Sequence, residues 1–162
     1  MAPKPLRRDE NIAILSRDHH FGLLFCWKIR QGIKKNVAAE RIKNYISYYW
    51  HTHLQTHFEE EEIYMFLKVN DDACRKALQQ HEQIRELMKQ ILTDADSTAD
   101  YSLPTGLADL VEAHIRFEER ELFPHLEEVL TEGELKRIGA ALEQSHAVPN
   151  PDNYPDEFWT SK

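Results

Sequence analysis

Ionisable side chains interrupt the apolar stripes of this chain near the middle of four long helical segments. Apolar residues recur along these segments at three- and four-residue steps, the spacing of one face of an α-helix. Histidines and glutamates share those faces, where an unpaired buried charge would be costly. The pattern predicts a helical bundle whose interior supplies a partner for these groups.

The stripes predict four long helices, a short fifth helix and an irregular C-terminal tail. The connections are short and polar, and no alternating strand pattern or repeat occurs. Such an order favours an all-α, up-down-up-down four-helix bundle. Phe158 and Trp159 are expected to pin the tail onto it. The expected helices run from about 8 to 32, 37 to 68, just after 72 to 93, 104 to 130, and 131 to 144.

The chain length fits one domain with short tails. Its 162 residues are only slightly more than the roughly 100–150 residues around which single domains cluster. The predicted division is an N-terminal tail over 1–8, the bundle domain over 9–145 and a C-terminal tail over 146–162.

Charge and composition exclude several classes of function. A net charge of −8 argues against broad nucleic-acid binding, which needs a clustered basic face. The sequence contains no run of about 18 apolar residues, so it predicts no membrane span. Residues 1–5 lack the apolar stretch of a signal peptide. Cys26 and Cys74 form neither a disulfide framework nor a CxxC motif. These features predict a cytoplasmic protein with no nucleic-acid or membrane partner.

Two His-x-x-x-Glu pairs lie on the inward stripes of the second and fourth predicted helices. His57 and Glu61 are four residues apart, and His114 and Glu118 repeat the arrangement. Side chains four apart project from the same helix face about one turn from each other. Each pair therefore presents an imidazole and a carboxylate to the bundle interior.

The first and third helices each add an inward histidine, His19 and His81. A lone histidine on an apolar stripe is more often a hydrogen-bonded core residue than a ligand. Four such histidines, together with two paired carboxylates, are not independent observations and must be interpreted together. Imidazole and carboxylate ligands without thiolate suit iron, manganese or zinc, and bridging carboxylates favour a dinuclear site. The predicted occupant is a bridged pair of irons, with zinc or manganese as substitutes.

Other polar residues have less specific interpretations. His53 lies one turn before His57, and a second-sphere or spectator role is favoured over an extra ligand or a group capping the site. The remaining polar residues near the stripes are expected at the surface: Glu59, Glu62, His51, His125 and His146.

Four stretches, in order, carry a family resemblance: residues 15–19 (LSRDH), 57–62 (HFEEEE), 80–82 (QHE) and 114–124 (HIRFEERELFP). Over about residues 9–145 the chain resembles the hemerythrin-like, or HHE cation-binding, domain. The resemblance implies two iron ions joined by an oxo or hydroxo bridge. It also implies terminal ligands at His57 and His114, bridging carboxylates at Glu61 and Glu118, and a third-helix ligand at His81. In the first helix it favours His19 and leaves His20 open.

The chain departs from oxygen-carrying hemerythrins at two positions. Arg85 stands where those proteins have a second third-helix histidine. Their last carboxylate follows its histidine by five residues, whereas Glu118 follows His114 by four and Glu119 is the five-step candidate. Loss of one histidine would leave an open or water-filled position or recruit another oxygen ligand. The resemblance therefore does not by itself imply reversible oxygen carriage.

The leading functional prediction is a non-haem di-iron protein that binds or senses a small ligand such as dioxygen, nitric oxide or peroxide. One alternative is an iron-dependent oxidoreductase that reduces peroxide or nitric oxide with an unknown redox partner. Another is a protein for iron storage, delivery or sensing. A metal-free bundle with a hydrogen-bonded polar core is disfavoured, because half-satisfied buried polar networks are costly.

Overall fold

The computed structural model describes residues 8–93, 100–148 and 150–160, and these residues contain five helices and no strand. The all-α bundle predicted from the sequence is confirmed. None of the described helices is long and apolar enough to cross a membrane. The helices are α1 (Ala13–Lys34), α2 (39–69), α3 (Asp72–Thr93), α4 (102–129) and α5 (Glu132–Ser145).

Helices α2 and α4 are continuous but contain wider π-helical turns. In α2 these turns are Trp50–Leu54 and Glu62–Phe66, and in α4 the turn is Glu118–Leu122. The latter two begin at or directly after the glutamate of a His-x-x-x-Glu pair. A π turn changes the direction in which later side chains point, and such turns are frequent at functional sites. Strict 3.6-residue periodicity does not predict them.

Local side-chain chemistry sets the helix ends. Helix α1 begins at Ala13, later than predicted, because Asp9 Oδ1 accepts hydrogen bonds from the backbone N–H and side-chain amide of Asn11 at 2.8 and 3.0 Å. Such an Asx turn competes with helix formation. Asn70 ends α2 in the left-handed conformation, with φ of 44°. Thr131 and Glu134 form a capping box at the start of α5.

Two apolar clusters form the core. One includes Phe25, Tyr45 and Phe58, and the other includes Leu15 and Phe123. The buried polar side chains contact both clusters, since the ring of His81 stacks on Phe58 and that of His19 stacks on Phe123. The apolar clusters therefore hold the polar centre of the bundle from two directions.

The C-terminal tail packs on α1 and α2, as predicted. Phe158 is buried, and its ring lies so close to Gly32 that a Cβ there would stand 2.7 Å from the Phe158 ring. The rings of Phe158 and Trp159 lie 5.7 and 5.3 Å from that of Tyr45. Residues 150–160 thus form a wall beside the bundle interior.

Candidate metal centre

Six predicted site residues converge at the centre of the bundle. His19 comes from α1, His81 from α3, and each His-x-x-x-Glu pair from α2 or α4. Glu61, His81 and Glu118 are fully buried, and the other three side chains are nearly so. The six residues are His19, His57, Glu61, His81, His114 and Glu118.

These residues form two overlapping groups of potential metal ligands. We call His19, His57, Glu61 and Glu118 the first group, and Glu61, His81, His114 and Glu118 the second group. Within each group one ligand atom per residue lies within 4.8 Å of all the others. Both groups contain both carboxylates. The arrangement could accept two cations that share Glu61 and Glu118.

Each histidine directs its Nε2 atom towards the shared carboxylates. The Nε2 atoms of His19 and His114 lie 2.9 and 3.1 Å from Glu118 Oε1. Those of His57 and His81 lie 3.3 and 3.1 Å from Glu61 Oε1. The inward-facing donors are therefore the oxygens of two carboxylates and four imidazole nitrogens. Iron, manganese and zinc accept such a donor set.

The outward Nδ1 atoms contact a closed ring of acceptors. The Nδ1 atom of His57 lies 3.1 Å from Asp18 on α1, and that of His81 lies 2.7 Å from Glu62 on α2. The remaining two contacts continue the ring, from His114 to Gln80 on α3 at 2.7 Å and from His19 to Glu119 on α4 at 3.2 Å. Each of the four helices α1 to α4 thus supplies the acceptor for a histidine of the next, and α4 does so for α1.

The ring of acceptors favours one tautomer and one orientation of each histidine. An Nδ1–H that donates to a carboxylate or amide oxygen leaves the Nε2 lone pair free and orients the ring. Each acceptor is also the immediate sequence neighbour of an inward residue: Asp18 of His19, Glu62 of Glu61, Gln80 of His81 and Glu119 of Glu118. The helices therefore position ligands and their supports with adjacent residues.

Three buried atoms at the centre have no hydrogen-bond partner among the described residues. They are His57 Nε2, Glu61 Oε2 and Glu118 Oε2. All three belong to the two groups, and orphaned buried polar atoms are rare in folded proteins. Bound cations would satisfy them, so the residues present fit a metal centre.

In the absence of metal, protons on the histidines compensate part of the negative charge of the buried carboxylates. Burial opposes protonation of His19, but hydrogen bonds to Glu118 and Glu119 raise its pKa to about 9. Burial likewise opposes protonation of His57 and His81, yet the Glu61 charge and the outer carboxylates raise both pKa values. Burial disfavours the Glu118 anion, but the charge of His114 holds the pKa of Glu118 well below its usual range. Metal binding would displace these protons.

A cavity of about 400 Å³ gives access to one side of the centre. His19, His57 and His114 border it. Within the described part of the chain His81 does not, because its ring lies 3.9 Å from the stacked ring of Phe58 and 5.4 Å from that of Phe66. Both histidines of the first group therefore face the cavity, whereas only His114 of the second group does and His81 is enclosed.

The structure places the other candidates outside the two groups. His20, the alternative to His19, lies on the exposed side of α1. Arg85 contacts Glu62 Oε2 at 2.6 Å and so supports the acceptor of His81. Glu119, the five-step candidate, is the acceptor of His19. His53 stacks on Tyr49 and borders the cavity.

Two expectations about surface residues were wrong. Glu62 is not a purely solvated carboxylate, because hydrogen bonds with His81 and Arg85 outweigh its partial burial and lower its pKa. His146, predicted at the surface, lies with Asp18 and buried Glu60 in a third group of potential ligands. Its Nε2 lies 2.9 Å from Glu60 Oε2. These residues lie one position off the stripes or beyond the last long helix, so periodicity gave no signal for them.

A comparison with protein families matches residues 9–126 to the hemerythrin HHE cation binding domain. The match covers more than half of the chain. The chain belongs to the hemerythrin family. Its cation-binding character agrees with the buried histidine and glutamate groups. Comparisons with curated proteins and with solved structures found no match. The C-terminal tail and α5 lie beyond the matched residues, and the predicted domain limit at residue 145 stays a prediction.

Proposed function

We propose that this hemerythrin-family protein holds two iron ions and uses them to bind or sense a small ligand: dioxygen, nitric oxide or peroxide. The observation that carries the proposal is the pair of overlapping ligand groups that share Glu61 and Glu118. Bound iron would supply the redox-active centre to which such a ligand attaches.

The histidines would hold the irons, and the outer ring would fix their orientation. His19 and His57 would serve the first position, and His81 and His114 the second. Asp18, Glu62, Gln80 and Glu119 would keep each Nδ1 protonated. With two histidines and two shared carboxylates per group, each position has four protein ligands, fewer than an octahedral ion accepts. A small ligand would enter at the first position, since the cavity borders it.

The walls would control which molecules reach the centre. Leu24, Leu54, Val111 and Ile115 present apolar side chains to the cavity. Apolar surroundings limit water access and alter the redox behaviour of a metal site. A small uncharged ligand passes such walls at lower cost than an ion.

The test is the absorption spectrum of the anaerobic, iron-loaded protein before and after dioxygen, nitric oxide or peroxide. The proposal predicts a ligand-dependent spectral change in the wild type and its loss in His57→Ala. His20→Ala is the matched control, because His20 is exposed beside His19, and it should behave like the wild type. No spectral change with any of the three ligands would contradict the proposal.

The cavity also favours a second candidate function, reduction of peroxide or nitric oxide by an iron-dependent oxidoreductase. A substrate that is turned over needs a path to the centre, and the cavity supplies one. Steady turnover with an added electron donor would support this candidate. Binding without turnover would favour sensing.

We further propose that the protein is located in the cytoplasm. Whether it senses a ligand or reduces one, we propose that it acts without a nucleic-acid partner. Cys26 and Cys74 are free and buried, as in proteins of reducing compartments. Fractionation of cells that express the protein at native levels tests the location.

A further inference from the structure

The third group of potential ligands lies beside the centre and outside the first two groups. It contains Asp18, Glu60 and His146, and one ligand atom of each lies within 4.8 Å of the others. All three residues border the cavity. One imidazole with two carboxylates is a donor set that divalent iron, manganese and zinc accept. His146 lies beyond residues 9–126, so the family match does not account for this group.

The distances within the third group fit a single ion. The Nε2 atom of His146 lies 2.9 and 3.1 Å from the two oxygens of Glu60 and 3.8 Å from Asp18 Oδ2. Nitrogen and oxygen ligands bind zinc at about 2.0–2.2 Å, so two ligand atoms of one ion lie up to about 4.4 Å apart. A cation could therefore replace the His146–Glu60 hydrogen bond without a large movement of either side chain. The cavity leaves room for water at the remaining coordination positions.

The surroundings of Glu60 favour a positive occupant. Glu60 is only 5% exposed, and its ion-pair partner is His146, which carries a positive charge only when protonated. No lysine or arginine within the described ranges pairs with Glu60, and the nearby Asp18 adds a second carboxylate. Lys28 on the cavity wall already pairs with Asp152. Proteins compensate buried charges by pairing them or by binding metal, so these two carboxylates indicate a cation.

The third group lies between solvent and the first group. The side chains of Asp18 and His146 are 29 and 30% exposed, whereas that of His57 is 7% exposed. Asp18 Oδ2 also accepts the hydrogen bond of His57 Nδ1 at 3.1 Å. A carboxylate has enough lone pairs to keep this hydrogen bond while it binds a cation. The apolar cavity walls oppose the passage of an ion, and this polar edge gives a cation a route past them.

We propose that Asp18, Glu60 and His146 bind one divalent cation, and that this third position loads Fe²⁺ into the centre. With only three protein ligands, it should release its ion during gel filtration, so that the purified chain keeps two irons. The loading role rests on the proposed function, because it requires a centre that holds iron. Binding of a cation at the third position does not depend on that function, so the two claims can fail separately.

The first experiment is a Mn²⁺ titration of the full chain, in which the EPR signal of free Mn²⁺ reports how much is bound. The metal-free wild type should bind one Mn²⁺ per chain more than His146→Ala or Glu60→Gln. The matched control is His125→Ala, which should bind as many ions as the wild type. His125 is also about one-third exposed and pairs with a carboxylate, Asp71, but it is not among the described residues that line the cavity.

A measurement on the wild type alone keeps the claim testable if a variant does not fold. When the centre is already filled with iron, one further Mn²⁺ should bind. Its pulsed EPR spectrum should show coupling to the nitrogen of a single histidine, since the third group contains only His146. Coupling to two histidines, or to none, would contradict the assignment of ligands.

The second experiment is anaerobic Fe²⁺ uptake, stopped at short times by a chelator that traps the free ion. His146→Ala and Glu60→Gln should reach the same final iron content as the wild type at a rate about tenfold lower, the lower end of the effect of a charged cleft on association. His125→Ala should load at the wild-type rate. An unchanged rate in both variants would overturn the loading role.

The outcomes separate this inference from the proposed function. Equal Mn²⁺ binding by the wild type and both variants would overturn the third position, and would show that Glu60 and His146 form only an ion pair between α2 and the end of α5. Two irons in the centre without a third position would contradict this inference alone. One extra Mn²⁺ in a chain that takes up no iron would contradict the loading role and the proposed function but not the third position.

Discussion

The two ligand groups use the same kinds of residue but differ in their surroundings. Each has two histidines and the shared Glu61 and Glu118. The first group borders a cavity, whereas His81 of the second is fully buried between Phe58 and Phe66. Two similar ligand sets therefore have different access. Under the proposed function, the first position would suit exchange of a small ligand, and the second would suit a structural role.

The largest effect is expected from the carboxylates, because both groups depend on them. Glu61→Ala or Glu118→Ala should lower the affinity for both metals by more than ~100-fold, above the range for loss of an outer partner. Metal analysis after iron loading measures this. Glu59→Ala, at an exposed position of the same helix, is the control and should keep its metal. Retention of both irons in Glu61→Ala would show that the groups do not share this residue.

Removing one histidine from each group should separate them by stability. In the metal-free protein we expect His81→Ala to cost about 2–4 kcal/mol of unfolding free energy, since deleting a stacked, fully buried ring leaves a cavity. His57→Ala should cost only about 1 kcal/mol, because His57 already borders a cavity that water can enter.

Urea unfolding of both variants, with exposed His20→Ala as the control, measures this difference. Each ligand variant should also lose about half of its iron. Equal destabilisation by the two variants would remove the distinction between His57, which borders the cavity, and the enclosed His81.

A smaller effect is expected at the outer ring. Asp18→Asn should weaken metal binding at the first group and Glu62→Gln at the second, each by about 10–100-fold. Conversely, Gln80→Glu would give His114 a carboxylate acceptor and should strengthen binding at the second group. Competition with a chelator measures these affinities, and Glu82→Gln, largely exposed on α3, is the control. An unchanged affinity in both Asp18→Asn and Glu62→Gln would argue that the ring does not support the ligands.

A separate effect, confined to the metal-free protein, is the pH dependence of its stability. The pKa of His19 is about 9 in the folded chain against an ordinary value of 6.5, so the folded state binds more protons between these values. This contribution to stability is complete below pH 6.5 and is lost as the pH rises through 9. His57 and His81 have the same sign. Glu118, whose pKa is lowered, loses its contribution only as the pH falls below its ordinary value of 4.5.

Thermal melts from pH 6 to 9.5 test this dependence. The metal-free protein should lose stability across the range, whereas the iron-loaded protein should lose much less, because its histidines carry no exchangeable Nε2 proton. His19→Asn should show a shallower slope than the wild type. A metal-free protein that gains stability with rising pH would contradict the assignment of protons.

The sequence was sufficient for the helices and for the residues that face inward. Apolar spacing placed the five helices within a few residues, and the structure brings together six of the seven candidate residues. Their role as ligands stays a prediction. The spacing could not separate His19 from His20, and the position of α1 in the bundle does so because one side of that helix is exposed.

The rest depends on contacts between distant parts of the chain. Asp18, Glu62, Gln80 and Glu119 lie next to inward residues in sequence, so they resemble a solvated face until the neighbouring helix is in place. The π turns at Glu62 and Glu118 are defined by their backbone hydrogen bonds, and hydrophobic periodicity does not encode these bonds. The cavity is completed by the tail, which approaches α1 and α2 through Asp152 and Phe158.

The most direct test of the account is the iron content of the anaerobically reconstituted full chain, determined together with its Mössbauer spectrum. The shared carboxylates predict two irons per chain, magnetically coupled, and loss of that coupling in Glu61→Ala. One iron per chain, or none after iron supplementation, would contradict the claim that Glu61 and Glu118 serve two metal positions.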